Sequence, residues 1–89
     1  MAKNGDEELL TEKDLAELQA KKERLQTELA QCGQRIVDLR QQEDPAQGKA
    51  FAQEIFHAQQ EKLRLQIEIE FCRRRVNRDR LAKEWEAEA

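Results

Sequence analysis

Hydrophobic residues recur along much of the chain at alternating steps of three and four positions. From residue 15 to residue 39, seven of eight such positions are apolar or Cys, and Lys22 is the exception. A sustained heptad of this kind is typical of the contact seam of a coiled coil. Thr11 offers an N-cap oxygen just before the pattern, which predicts a first helix over about residues 11–42. The predicted seam positions are Leu15, Leu18, Lys22, Leu25, Leu29, Cys32, Ile36 and Leu39.

A single break interrupts the pattern at residues 43–48. Pro45, the only proline, has no backbone N–H and cannot continue a helix. Asp44 is suited to cap a new helix that has Pro45 in its first position, and Gln47 completes a capping box. We predict a turn at about 43–48 and a second helix over about 49–86, with a start at Pro45 as the alternative. The seam of this helix is predicted as Phe51, Ile55, Ala58, Lys62, Leu65, Ile69, Cys72 and Val76.

Residues 63–71 alternate strictly between apolar and polar side chains, a pattern that is also expected of a β-strand. Strong helix formers flank this run, and a lone strand would have nothing to pair with, so we predict helix. Steps of two residues turn a helix by about 200°, so the alternation makes two opposite faces apolar. One face carries the seam. The other forms a second row, called the outer stripe below, which consists of Phe56, Leu63, Ile67, Phe71, Leu81 and Trp85.

The short break between the two heptad segments favours an antiparallel hairpin, with a parallel dimer of long kinked helices as the alternative. In an antiparallel pair, the numbers of opposed seam residues add up to a constant. We favour the register with a sum of 94, which places Cys32 opposite Lys62. The alternative register has a sum of 87, so its connection between the helices is shorter by one heptad. In both registers the acidic start of helix 1 lies beside the arginine-rich residues 73–80, which supports the antiparallel orientation.

The composition agrees with long helices and excludes several functional classes. Charged residues make up 39% and hydrophobic residues 38%, a mixture typical of coiled coils. Intrinsic disorder is the alternative for so charged a chain, but disordered tracts lack periodic apolar positions. The net charge of −3 argues against a nucleic-acid-binding domain, which is normally strongly basic.

Residues 1–10 are predicted to form a flexible acidic leader. They contain no apolar stretch suited to a signal peptide, and no apolar run in the chain is long enough to cross a bilayer. With only Cys32 and Cys72 present, we expect reduced thiols and a cytoplasmic or nuclear location.

Two groups of residues are candidates for chemistry. The first is an arginine cluster that could contact phosphates of nucleic acid or of an acidic membrane, consisting of Arg73, Arg74, Arg75, Arg78 and Arg80. Asp79 interrupts this cluster and glutamates follow it, which favours neutralisation of helix 1 instead. The second group is Cys32, His57 and Cys72, which are too few and too far apart in sequence for structural zinc. No catalytic or nucleotide-binding motif is present, so we expect no enzymatic activity, no cofactor and no metal.

These patterns together predict an all-α fold, an antiparallel two-helix coiled-coil hairpin that dimerises into a four-helix bundle. The outer stripe is the predicted protein interface, because contiguous exposed apolar surface marks interaction sites. We expect an oligomerisation and protein-binding module of an intracellular scaffold or adaptor protein. One alternative is a heteromeric helical finger that docks a globular partner such as a small GTPase. Another is a nucleic-acid or acidic-membrane binder that uses the arginine cluster.

Overall fold

Two long helices lie antiparallel against each other along the whole molecule. The structure is a computed structural model and describes residues 9–88. Helix α1 spans Glu12–Gln42, a single 3-10 turn spans Pro45–Gln47, and helix α2 spans Ala52–Glu88. The overall extents of 68 × 25 × 19 Å are those of a rod two helices wide. The predicted all-α hairpin is confirmed, and residues 9–88 contain no strand. Residues 1–8, most of the predicted leader, lie outside the described residues, as does Ala89.

Helix α1 begins where its capping residue predicts. Thr11 has an extended backbone, and its side-chain oxygen accepts the backbone N–H of Asp14 at 3.0 Å. Glu12 and Asp14 lie in the first turn, where negative charge interacts favourably with the positive end of the helix dipole. Arg40 lies in the last turn, where its positive charge interacts favourably with the negative end of the helix dipole.

The turn is held by backbone pairing rather than by the predicted capping box. Asp44 and Lys49 exchange two backbone hydrogen bonds, of 2.7 and 2.9 Å, and Gly48 adopts the left-handed conformation with φ of 74°. Asp44 makes no side-chain capping bond, and the alternative start of helix 2 at Pro45 is wrong. A carboxylate oxygen of Glu43 instead accepts the backbone N–H of Phe51 at 3.1 Å. The end of α1 therefore supplies an acceptor at the start of α2.

The predicted seam forms the contact between the helices. All sixteen predicted seam positions are buried or half-buried, including Lys22 and Lys62, whose aliphatic stems can lie along the seam while their ammonium groups reach water. Leu65 is the most deeply buried residue, at 1% exposure. Three of the seven buried core residues are Cys or Ala, so the core is thin. The seven are Leu25, Cys32, Ile36, Ile55, Ala58, Leu65 and Cys72.

A hydrogen bond joins the two helices near the middle of the seam. The Cys32 thiol donates to the backbone carbonyl of Ala58 at 3.0 Å. Ala58 carries only a methyl group, which leaves room for Cys32 to reach the backbone of α2. Both predicted registers place Cys32 within one helical turn of Ala58, so the choice between them stays a prediction.

The positions of the two cysteines along the seam predict that they form no disulfide within one hairpin. Cys72 lies beside Leu18 and Lys21, whereas Cys32 contacts Ala58, which is about 21 Å from Cys72 along a helix rising about 1.5 Å per residue. A disulfide needs Cα atoms within roughly 7 Å. Mild oxidation followed by non-reducing mass analysis should find no intramolecular bond. A high yield of that bond would contradict the pairing of the helices.

Candidate protein-interaction surface

The outer stripe is exposed along the whole of α2. All six of its residues are exposed, from 48% for Ile67 to 77% for Trp85. Leu63 and Leu65 show the cause, because they are two positions apart and lie on opposite faces. Leu65 is 1% exposed against α1, whereas Leu63 is 52% exposed. Helix α2 therefore buries one apolar face and presents a second one to solvent.

None of the four aromatic residues of the chain is fully buried. Phe51 is half-buried at the turn, and Phe56, Phe71 and Trp85 are exposed on the outer stripe. The Phe56 ring meets the His57 ring edge to face with 5.8 Å between ring centroids, but Phe56 remains 55% exposed. Aromatic side chains carry the largest apolar areas and usually dominate cores and interfaces. This hairpin leaves three of its four aromatic side chains available for an interface.

Two arginines divide the outer stripe. At 100° per residue, Arg74 and Arg78 point within roughly 30° of the mean direction of the stripe. They lie between Phe71 and Leu81, so the face consists of a longer apolar part, a basic gap and a short apolar part that ends at Trp85. The stripe is therefore both apolar and charged, and any partner must accommodate both properties.

Glutamates of α2 itself bind much of the arginine cluster. Arg73 donates to both carboxylate oxygens of Glu70, at 3.1 and 2.6 Å, and Arg74 donates to the same carboxylate at 3.0 Å. The hydrogen bond from Arg73 and then that from Arg74 lower the pKa of Glu70. Arg80 donates to Glu84 at 3.1 Å. Arg73, Arg74 and Arg80 thus already have carboxylate partners, which weakens the hypothesis of a phosphate-binding surface.

Arg75 lies against the acidic start of α1. It shares a groove with Asp14 and Glu17, as the charge pattern of the sequence predicts. The juxtaposition of opposite charges at this end favours the antiparallel orientation over a parallel one.

Asp79 is a structurally important residue that the sequence interpretation missed. It is 2% exposed, accepts the backbone N–H of Leu10 at 2.6 Å, and pairs with Lys83 at 2.8 Å. The hydrogen bond from Lys83, followed by that from Leu10, holds the pKa of Asp79 below its ordinary value of 3.8. A signal was present, because Asp79 follows Val76 by three positions and continues the heptad. In the sequence pattern, Asp79 stands out only as an interruption of the arginine cluster.

The described part of the chain offers little for other kinds of site. Within residues 9–88, no group of three or more His, Cys, Asp or Glu side chains is arranged to hold a metal ion. Neither α1 nor α2 is long and apolar enough to cross a membrane.

Comparison with protein families, with curated proteins and with solved structures found no match to this chain. Its function must therefore be inferred from the surface of the hairpin.

Proposed function

We propose that this chain is a homodimerising, non-catalytic module in which a second copy covers the outer stripe. Two hairpins then form a four-helix bundle with the two α2 helices at its centre. The observation that carries this proposal is the row of six large apolar side chains exposed on the face of α2 opposite α1. The proposed setting is a cytoplasmic scaffold or adaptor protein, where the buried thiols Cys32 and Cys72 stay reduced.

The area of the outer stripe is sufficient for a dimer. An aromatic side chain carries about 150–250 Å² of surface, so the observed exposures leave roughly 600 Å² of the six residues open to solvent. Two copies would bury about 1,200 Å² in total, which is the lower end of stable specific interfaces. Neighbouring polar side chains at the rim would add to this area.

The thin core of the hairpin supports the same arrangement. Only four of the seven buried hydrophobic residues have large aliphatic side chains, namely Leu25, Ile36, Ile55 and Leu65. Small domains bury too little apolar surface to be more than marginally stable. A helix that is apolar on two opposite faces is suited to the interior of a larger assembly. Dimerisation through the outer stripe would place α2 in that position.

The decisive test is the double substitution Ile67→Ser and Phe71→Ser. Full burial of each such side chain is worth about 1.5–3 kcal/mol, but Ile67 is only 48% and Phe71 only 65% exposed in the hairpin, so dimerisation would cover about half of each. Because the dimer contains four such side chains, we expect dimerisation to weaken by at least about a hundredfold. Sedimentation equilibrium should find a monomer at concentrations where the unmodified chain is a dimer, and the thermal midpoint should fall with loss of the bundle.

Val37→Ser is the matched control, because Val37 is an exposed apolar residue of α1 and lies off the outer stripe. It should leave the dimer intact. A double variant that remains as dimeric as the unmodified chain would show that the outer stripe is not the interface. If the unmodified chain is itself monomeric at all accessible concentrations, the homodimer is overturned and the stripe must meet a different protein.

A further inference from the structure

The outer stripe is part of a longer row that is symmetric along α2. With its polar members included, the row has nine positions separated by three or four residues. Their average spacing of about 3.6 residues equals the α-helical repeat, so the row runs straight along the helix. Its midpoint falls between Glu70 and Phe71, at the centre of the helix Ala52–Glu88. The nine positions are Phe56, Gln60, Leu63, Ile67, Phe71, Arg74, Arg78, Leu81 and Trp85.

A parallel pairing of two α2 helices brings like charges together. In such a pair each residue of the row faces its own copy, so Arg74 faces Arg74 and Arg78 faces Arg78 across an apolar contact. Juxtaposed like charges at an interface are strongly unfavourable. The basic gap in the outer stripe therefore acts against this orientation.

An antiparallel pairing about the midpoint of the row removes this conflict. Opposed residue numbers then add up to 141, which places Arg74 over Ile67 and Arg78 over Leu63 of the second copy. The aliphatic stems of the arginines can cover these side chains while the guanidinium groups reach the rim. Arg74 already has Glu70 as a partner at 3.0 Å on its own helix.

The same pairing matches the aromatic residues. Phe56 at one end of the row faces Trp85 of the second copy at the other end, and Phe71 meets its own copy beside the axis. Such aromatic pairs stabilise an interface beyond the area that they bury. We infer that the two α2 helices pack antiparallel about a two-fold axis between residues 70 and 71, an inference that rests on the proposed homodimer.

Cysteine cross-linking tests this orientation. The variants Gln60→Cys and Leu81→Cys are prepared in the full chain, alone and as an equal mixture, and then oxidised mildly. In the antiparallel pair residue 60 faces residue 81 of the second copy, and each lies about 30 Å along the axis from its own counterpart. A disulfide requires Cα atoms within roughly 7 Å. We expect the mixed disulfide to dominate in the mixture, with each single variant at the background level of a Val37→Cys control.

Mass analysis separates the mixed product from the homodimers, and peptide mapping separates the new thiols from Cys32 and Cys72. Disulfide-linked homodimers of Gln60→Cys alone and of Leu81→Cys alone would overturn the inference in favour of parallel helices. A chain that is dimeric in sedimentation but gives no cross-link above the control would overturn the register. A chain that is monomeric would overturn the proposed function and this inference together.

Discussion

Leu65→Ala should unfold most of the isolated hairpin, whereas Leu63→Ala should leave it folded. Leu65 is 1% exposed at the centre of the seam, and truncating a buried Leu costs about 2–5 kcal/mol. A small single-layer core rarely supplies more than about 3–5 kcal/mol in total, so this one change removes most of the available stability. Leu63 is 52% exposed on the opposite face, and its truncation leaves no cavity between α1 and α2.

The measurement is helical circular dichroism during thermal and urea unfolding, at two protein concentrations. At a concentration too low for dimerisation, Leu63→Ala should match the unmodified chain and Leu65→Ala should be largely unfolded. At high concentration the midpoint of Leu63→Ala should also fall below that of the unmodified chain, because the outer stripe is then part of the interface. Equal destabilisation of both variants at low concentration would mean that α2 does not present Leu63 to solvent.

The second large effect is expected at Asp79. Substitution Asp79→Ala leaves the amide of Leu10 without its acceptor and Lys83 without its carboxylate. The thermal midpoint should fall, and hydrogen exchange at the Leu10 amide should speed up by on the order of tenfold or more as residue 10 detaches. These two readouts report on the open end of the hairpin, which is opposite the turn.

Asp79→Leu is the informative comparison, because it extends the apolar seam by one position. A leucine at this position would bury apolar surface that an alanine lacks, while the Leu10 amide and Lys83 lose the same partner in both variants. We therefore expect the thermal midpoint of Asp79→Leu to lie above that of Asp79→Ala, while exchange at Leu10 remains fast. Slow exchange at Leu10 in this variant would show that the carboxylate does not hold residue 10.

The contribution of Asp79 should depend on pH in a defined direction. Its pKa in the folded chain is lowered by Lys83 first and then by the Leu10 amide, and Arg75 adds a smaller effect. A lowered folded pKa means that the stabilisation is present above the ordinary value of 3.8 and is lost as the pH falls through the folded pKa. The difference in urea midpoint between the unmodified chain and Asp79→Asn should thus be largest near neutral pH and shrink below about pH 4. A difference that stays constant down to pH 2 would contradict this assignment.

The spacing of apolar residues is sufficient to predict which side chains of each helix face the other helix and which face outward. All sixteen heptad positions are buried or half-buried, and all six residues of the outer stripe are exposed. Both outcomes follow from the fixed 100° rotation per residue, which converts spacing directly into direction. The same rotation explains why the strictly alternating residues 63–71 form a two-faced helix. Pro45 marked the turn because its missing N–H and its fixed φ are local properties of the residue.

The start of α2 and the burial of Asp79 depend on tertiary contacts that the sequence pattern does not reveal. Helix α2 starts at Ala52 because Asp44 pairs with Lys49 and Glu43 binds the Phe51 amide, contacts that form only once the chain has reversed. Asp79 is held by a backbone group 69 positions away in sequence. Each of these features depends on partners that the fold brings together, whereas the rotation of a helix is a property of neighbouring residues alone.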